Sequence, residues 1–184
     1  VLDSAPEPVF DELIRIAAEL CDAPIALLGL VDQSRIWFKA AYGLSLSEVP
    51  RAHAPCNHVV ESCEFLELPN ALDDPRFSDN PMVTGSPNLR HYVGVPLISS
   101  SGACLGALSV VNDRPGKLTP AQQSSLTTLA SHAVTLLEMR TDHLKTSSHE
   151  DHLNVIGQSL LRSHLEHPDP GVVVVAVTAR RSCC

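Results

Sequence analysis

Seven consecutive residues without a polar side chain, Ile25 to Val31, constrain this chain more than any other feature. The run has the length of a strand. The turn residues Asp32-Gln33-Ser34 follow it, and then a second run from Arg35 to Tyr42. Together they predict a β-hairpin. Gly43 stops the second strand. Upstream, Phe10, Leu13, Ile14, Ala17, Leu20 and Cys21 recur at helical spacing and give one apolar face. Ser4 and Glu7 have the spacing of a capping box, Pro6 and Pro8 fall where a first turn tolerates them, and Asp22-Ala23-Pro24 ends the helix.

Beyond the hairpin, residues 44 to 55 read as a loop with two prolines. A short helix follows over Cys56 to Cys63, then a short strand over Phe65 to Leu68. Residues 71 to 88 carry the turn dipeptides Asp74-Pro75, Asn80-Pro81 and Ser86-Pro87, which predict a long ordered loop with at most short helical turns. Loops of that length inside a compact domain are usually functional. His91 to Ile98 and Cys104 to Val111 are two more strands, in which Gly94, Pro96 and Gly106 suggest close packing or a bulge. Thr119, Pro120 and Gln122 then form a second capping box. It opens a helix with Leu126, Leu129, Ala130, Ala133, Leu136 and Leu137 on one stripe. This order of elements predicts an α+β fold, an antiparallel sheet with helices segregated to its faces. Aromatic residues make up only 4% of the chain, so the core must be aliphatic.

Several blocks in this order resemble a GAF domain of the type at the input end of sensor histidine kinases and cyclic-dinucleotide signalling proteins. They are Asp32 to Lys39, Asp73-Asp74-Pro75-Arg76-Phe77, Asn80-Pro81 with Val83-Thr84-Gly85, Tyr92 to Leu97, and Leu105 to Val110. The resemblance covers about Leu2 to Arg140 and implies a five- or six-stranded antiparallel sheet. It also implies helices from both ends of the domain on one face and a ligand-sized pocket on the other. The corresponding division is a sensory domain over 1–140, a helical linker over 141–166 and an irregular tail over 167–184.

The pocket implied by the resemblance takes its walls from the helix near Cys56, the 71–88 loop and the inward face of the sheet. Its candidate ligand-binding residues are Trp37, Cys56, His58, Asp73, Phe77, Asn80 and Tyr92. No cofactor is named by the sequence. Relatives that carry a linear tetrapyrrole attach it through a cysteine, but Thr84 to Leu89 has none and Arg76 stands at the second position such relatives use. Covalent bilin is therefore not expected. Cys56, His58 and Cys63 cannot all reach one metal ion from a single helix, because position 58 points about 160° away from position 56. Asp73 and Asn80, each close to a proline, are equally suited to holding the loop through local hydrogen bonds. Surface solvation is the expectation for Arg90. The alternative to a sensory role is a redox enzyme similar to the free methionine sulfoxide reductases, for which Cys56 and Cys63 would have to serve.

Apolar positions in the 119–140 helix approach heptad spacing, which suggests a homodimer through terminal helices. Farther on, Ser148-His149-Glu150 resembles the phosphoacceptor box of histidine kinases, with His149 as acceptor; the spacing of the apolar residues after it departs from that pattern. An output kinase or cyclase domain in the full-length protein would receive the signal. The chain begins at Val1, not Met, and is read as a piece of a longer protein. A net charge of −8 argues against a nucleic-acid partner, and no apolar run approaches the roughly 20 residues a bilayer span requires. Six cysteines without a disulfide pattern fit a reducing, cytoplasmic setting.

Overall fold

The structure, a computed structural model, describes residues 2–142. In chain order the elements are α1 (Pro8–Leu20), β1 (Ile25–Val31), β2 (Arg35–Tyr42), β3 (Glu48–Pro50), a 3₁₀ turn (Arg51–His53), α2 (Cys56–Ser62), β4 (Leu66–Leu68), α3 (Pro81–Thr84), β5 (His91–Ile98) and β6 (Cys104–Asn112). Residues 120–142 are helical and are called α4 here. The strands form one six-stranded sheet in the order β3-β2-β1-β6-β5-β4, and each neighbouring pair is antiparallel.

The uninterrupted apolar run of β1 is explained by two cores, one on each side of the sheet. Ala26, Leu28 and Leu30 face a core completed by Phe10, Leu13, Ile14 and Ala17 of α1 and by Leu126, Ala130, Ala133 and Leu137 of α4. Ile25 and Leu27 face the other core, built from Cys56 and Val59 of α2 and from Ala71, Phe77, Val83 and Leu89 of the long connection. Full burial of each large aliphatic side chain stabilises by about 1.5–3 kcal/mol, so a strand with no polar position is what a doubly covered sheet selects. Helices from the two ends of the domain thus share one face.

Two local expectations fail for identifiable reasons. Residues 44 to 55 are not simply a loop. Glu48–Pro50 pairs with β2, placing Val49 opposite Ile36, and Val49 is buried. A three-residue edge strand with one buried side chain is too short to show alternation. The Ser4–Glu7 capping box is not formed either: Glu7 is the N-cap of α1 and makes no side-chain cap bond. Both side chains are taken by Lys39, whose Nζ donates to Ser4 Oγ (2.8 Å), Ala5 O (2.9 Å) and Glu7 Oε1 (2.7 Å). Lys39 stands at a bulge in β2, where Leu28 pairs with Ala40 and Gly29 with Phe38. Its side chain is wholly buried, and an ammonium in that position needs all three donors satisfied. At the other end the expected box does form: Gln122 N donates to Thr119 Oγ1 (3.2 Å) and Thr119 N to Gln122 Oε1 (2.9 Å).

Candidate functional site

The face opposite α1 and α4 is where a pocket belongs, and its floor is set by strand alternation. Leu27 and Gly29 of β1, Phe38 of β2, Tyr92 of β5, and Ser109 and Val111 of β6 point to it. Ala54, Pro55, Cys56, Met82 and Leu89 close it from above. The space left is about 20 Å³, room for a single water. Drug-sized ligands occupy about 300–1,000 Å³. A ligand-sized pocket is therefore not open in this structure, and the filling side chains give the reason. Tyr92 crosses over Gly94 so that its hydroxyl reaches Ser109 Oγ at 3.0 Å. A Cβ at Gly94 would lie 2.5 Å from Tyr92 Oη and 2.6 Å from Val59 Cγ2. Glycine is needed there so that α2 and the tyrosine can both close on β5. Apart from the mutually satisfied Tyr92–Ser109 pair, the cavity presents little but apolar surface.

Of the residues singled out from the sequence, Cys56 and Tyr92 line this cavity. Phe77 is buried in the same core, where the His58 ring meets it edge-on at 4.9 Å and the Arg76 guanidinium covers its face at 5.2 Å. His58 itself is half-exposed and lines a wider, open groove of about 400 Å³ outside α2, with Glu61, Glu64, Phe65 and Arg76. Trp37 lies across the sheet, in the core beneath α1 and α4. Asp73 is exposed and accepts from Asn70 Nδ2 at 2.9 Å. Asn80 caps α3 by accepting from Met82 N (2.9 Å) and donates to His53 O (3.0 Å). The structure does not bring Trp37, His58, Asp73 or Asn80 to the cavity. Arg90 is not simply solvated, since its Nη1 donates to the carbonyls of Val83 (2.9 Å) and Leu89 (3.0 Å) and so fixes the loop over the cavity. His149 lies outside the described residues.

Met82, Leu89 and Ser109 were missed from sequence. Ser109 left a signal: it is the one polar residue within Leu105 to Val111. Met82 and Leu89 left none, because an aliphatic residue in an irregular loop has no period to betray its direction.

A second constellation ties the β4 edge of the sheet to α4. Glu67 of β4 accepts from Leu118 N at 2.7 Å and from Gln123 Nε2 at 3.1 Å, and His91 Nε2 of β5 lies 3.0 Å from the same carboxylate. One side chain of the edge strand thus holds the first turn of the exit helix. Among the described residues, no group of three or more His, Cys, Asp or Glu is placed to hold a metal ion. Nor is any described helix long and apolar enough to cross a membrane.

Comparison with known proteins places this architecture. The GAF domain family matches residues 5–137. This chain belongs to that family. A cyclic di-GMP phosphodiesterase of Pseudomonas aeruginosa is 36% identical over 115 residues, covering 62% of this chain and 20% of the relative. The chain therefore spans about one fifth of the length of that curated relative. The GAF domain of an Acinetobacter phosphoenolpyruvate-protein phosphotransferase has a similar fold, with a TM-score of 0.64 at 22% identity, covering 76% of this chain and 87% of that one. A type II free methionine-R-sulfoxide reductase from Thermoplasma acidophilum also shares the fold, with a TM-score of 0.60 at 12% identity, covering 72% and 92%.

Within this GAF domain the cysteines differ sharply in chemistry. Burial pushes the Cys56 thiol up to about 12, which keeps it protonated at neutral pH. Cys63 is exposed and caps the far end of α2 in a left-handed conformation. Seven residues separate the two, about 10 Å of helix rise, so they stand at opposite ends of the lid over the cavity.

Proposed function

We propose that this GAF domain is the regulatory input module of a signalling protein. It responds to a small ligand taken up beside Tyr92 and Cys56, or to pairing with a second copy, and acts on an output domain through α4. The observation that carries this reading is the shared sheet. Alternate residues of β5 and β6 serve the two faces: Tyr92 and Ser109 close the cavity, while Val93, Leu108 and Val110 pack in the core beneath α4. A ligand that displaces Tyr92 therefore shifts strands on which the exit helix rests, and Glu67 adds a polar link to the start of that helix. Exposed Val9, Ile16 and Leu20 on α1 and Met139 on α4 offer apolar surface for a second copy. The phosphodiesterase relative favours a cyclic-dinucleotide enzyme as the output. A histidine kinase is the other output class, with His149 as phosphoacceptor. The high thiol pKa of Cys56 weighs against the reductase alternative.

The test is native mass spectrometry and an absorbance spectrum of the full chain, followed by thermal-shift titration with cyclic mononucleotides, cyclic dinucleotides and small metabolites. A ligand at 100 times its Kd stabilises by about 2.7 kcal/mol, a readily measured shift. A strict monomer at high concentration, with no bound mass and no shift from any ligand class, would remove both arms of the reading.

A further inference from the structure

No side chain around the cavity beside Tyr92 carries a charge. Its polar groups are few and already committed. Tyr92 Oη and Ser109 Oγ hydrogen-bond to each other at 3.0 Å, and burial keeps the Cys56 thiol protonated. The Arg90 guanidinium is spent on the Val83 and Leu89 carbonyls, and the Lys39 ammonium on Ser4, Ala5 and Glu7 before α1. An anion taken into this space would lose its hydration and gain no counter-charge, a cost that an uncharged guest does not meet. The walls suit a ring instead: Phe38, Leu27, Leu89, Val111 and the Met82 thioether, a group that packs well against aromatic edges. Exposure marks the way in. Every residue around the cavity is buried except Met82, which is half-buried. Met82 O accepts from Leu89 N at 2.8 Å, so the two form one flap. Its base is anchored where Arg90 N donates to Asn112 O (2.9 Å) and Ala71 N to Arg90 O (2.6 Å). The unbranched Met82 side chain can swing outward about its own bonds and leave all of these contacts in place.

We propose that the cavity binds a small uncharged aromatic molecule, a bare ring or one bearing a single hydroxyl, admitted past Met82. This ligand class rests on the reading above that the cavity takes a ligand, and it excludes nucleotides. The closed space of about 20 Å³ is a resting state that the ring enlarges by displacing Met82 and Leu89. A hydroxyl on the ring can enter the Tyr92–Ser109 pair, because each of those hydroxyls is both donor and acceptor. A carboxylate or phosphate meets no positive charge there.

The experiment uses the full 184-residue chain carrying carbon-13 at its methionine methyls. There are two such groups, Met82 at the cavity and Met139, 64% exposed on α4. Benzene, phenol, benzoate and a cyclic dinucleotide are titrated separately; phenol and benzoate share the ring and differ in charge. Benzene and phenol are expected to move the Met82 resonance saturably, and benzoate and the cyclic dinucleotide to leave it in place. Leu89→Ala removes the crowding that a ring must overcome, so benzene then saturates at about tenfold lower concentration. The proposal is overturned if neither benzene nor phenol moves Met82 in the wild type, or if benzoate or the cyclic dinucleotide moves it saturably. A cyclic dinucleotide at Met82 would keep the ligand-responsive input module and remove the aromatic class. Phenol at Met82 with Met139 and the oligomeric state unchanged would keep the class and remove the regulatory role.

Discussion

Glu7 shows how far a single side chain can be from its local reading. Its spacing from Ser4 matches a capping box, yet a residue more than thirty positions away decides its use. Lys39, carried into the core by the bulge in β2, binds Glu7, Ser4 and a backbone carbonyl at once. Arg140 Nε, buried without a hydrogen-bond partner, lies 3.4 Å from the same Glu7 oxygen. Nothing near Ser4 could announce this, because the demand arises only when the sheet is covered. By contrast Thr119 and Gln122 do form their box, since no buried charge competes for them. The Lys39 hydrogen bond is the main cause that lowers the Glu7 pKa from its ordinary 4.5, and the charges of Lys39 and Arg140 act in the same direction. A lowered folded value means that the carboxylate's contribution is complete above pH 4.5 and is lost as pH falls below it toward the folded value. Glu7→Gln is therefore expected to cost about 1–2 kcal/mol at pH 7, discounted for partial exposure, and progressively less as pH falls below 4.5. Urea unfolding of both proteins across that range measures the gap; a gap that does not narrow with acid would refute the assignment.

At the scale of elements, what was legible was whatever repeats. The helical stripes of α1 and α4 and the apolar runs of β1, β5 and β6 exceed a full period, so their faces could be assigned before any contact was known. β3, with one inward residue, and α3, one turn long, fall below that length. Their residues are held instead by nonlocal bonds such as Asn80 to His53 O and Arg90 to Val83 O. The glycines in β5 and β6 were legible as signs of close approach, though not of what approaches. At Gly94 the approaching groups are Val59 of α2 and the Tyr92 hydroxyl. Gly94→Ala must push both away, and overpacking of this kind costs about 1–3 kcal/mol. Part of that cost should vanish in a Tyr92→Phe background, which lacks the hydroxyl that the new methyl meets. A coupling of at least about 0.5 kcal/mol in the double-mutant cycle is expected, and strict additivity would show that α2 alone sets the limit.

For the whole molecule, the question is where the domain ends. The sequence reading places α4 inside a domain over 1–140, and its heptad-like spacing also suggests a connector. The packing does decide. Leu118, Leu126, Ala130, Ala133, Val134 and Leu137 are all buried in the core that also holds Leu28, Val95 and Leu108 of the sheet. The compact unit runs to Thr141. Removing α4 would uncover the sheet face and also strip the contacts of its own Leu126, Val134 and Leu137, each contributing about 1.5–3 kcal/mol. Together with the exposed partners this approaches the whole stability of an ordinary domain, roughly 5–15 kcal/mol. A chain ending at Leu118 is therefore expected to lose its cooperative thermal transition, whereas one ending at Asp142 keeps it. Circular dichroism melts of the two truncations distinguish the cases: a folded chain ending at Leu118 would make α4 a detachable lever. If instead only the longer chain folds, any displacement of the sheet is a displacement of the helix that leaves the domain. On the proposed reading, that inseparability is what would let a ligand in the closed cavity act through α4.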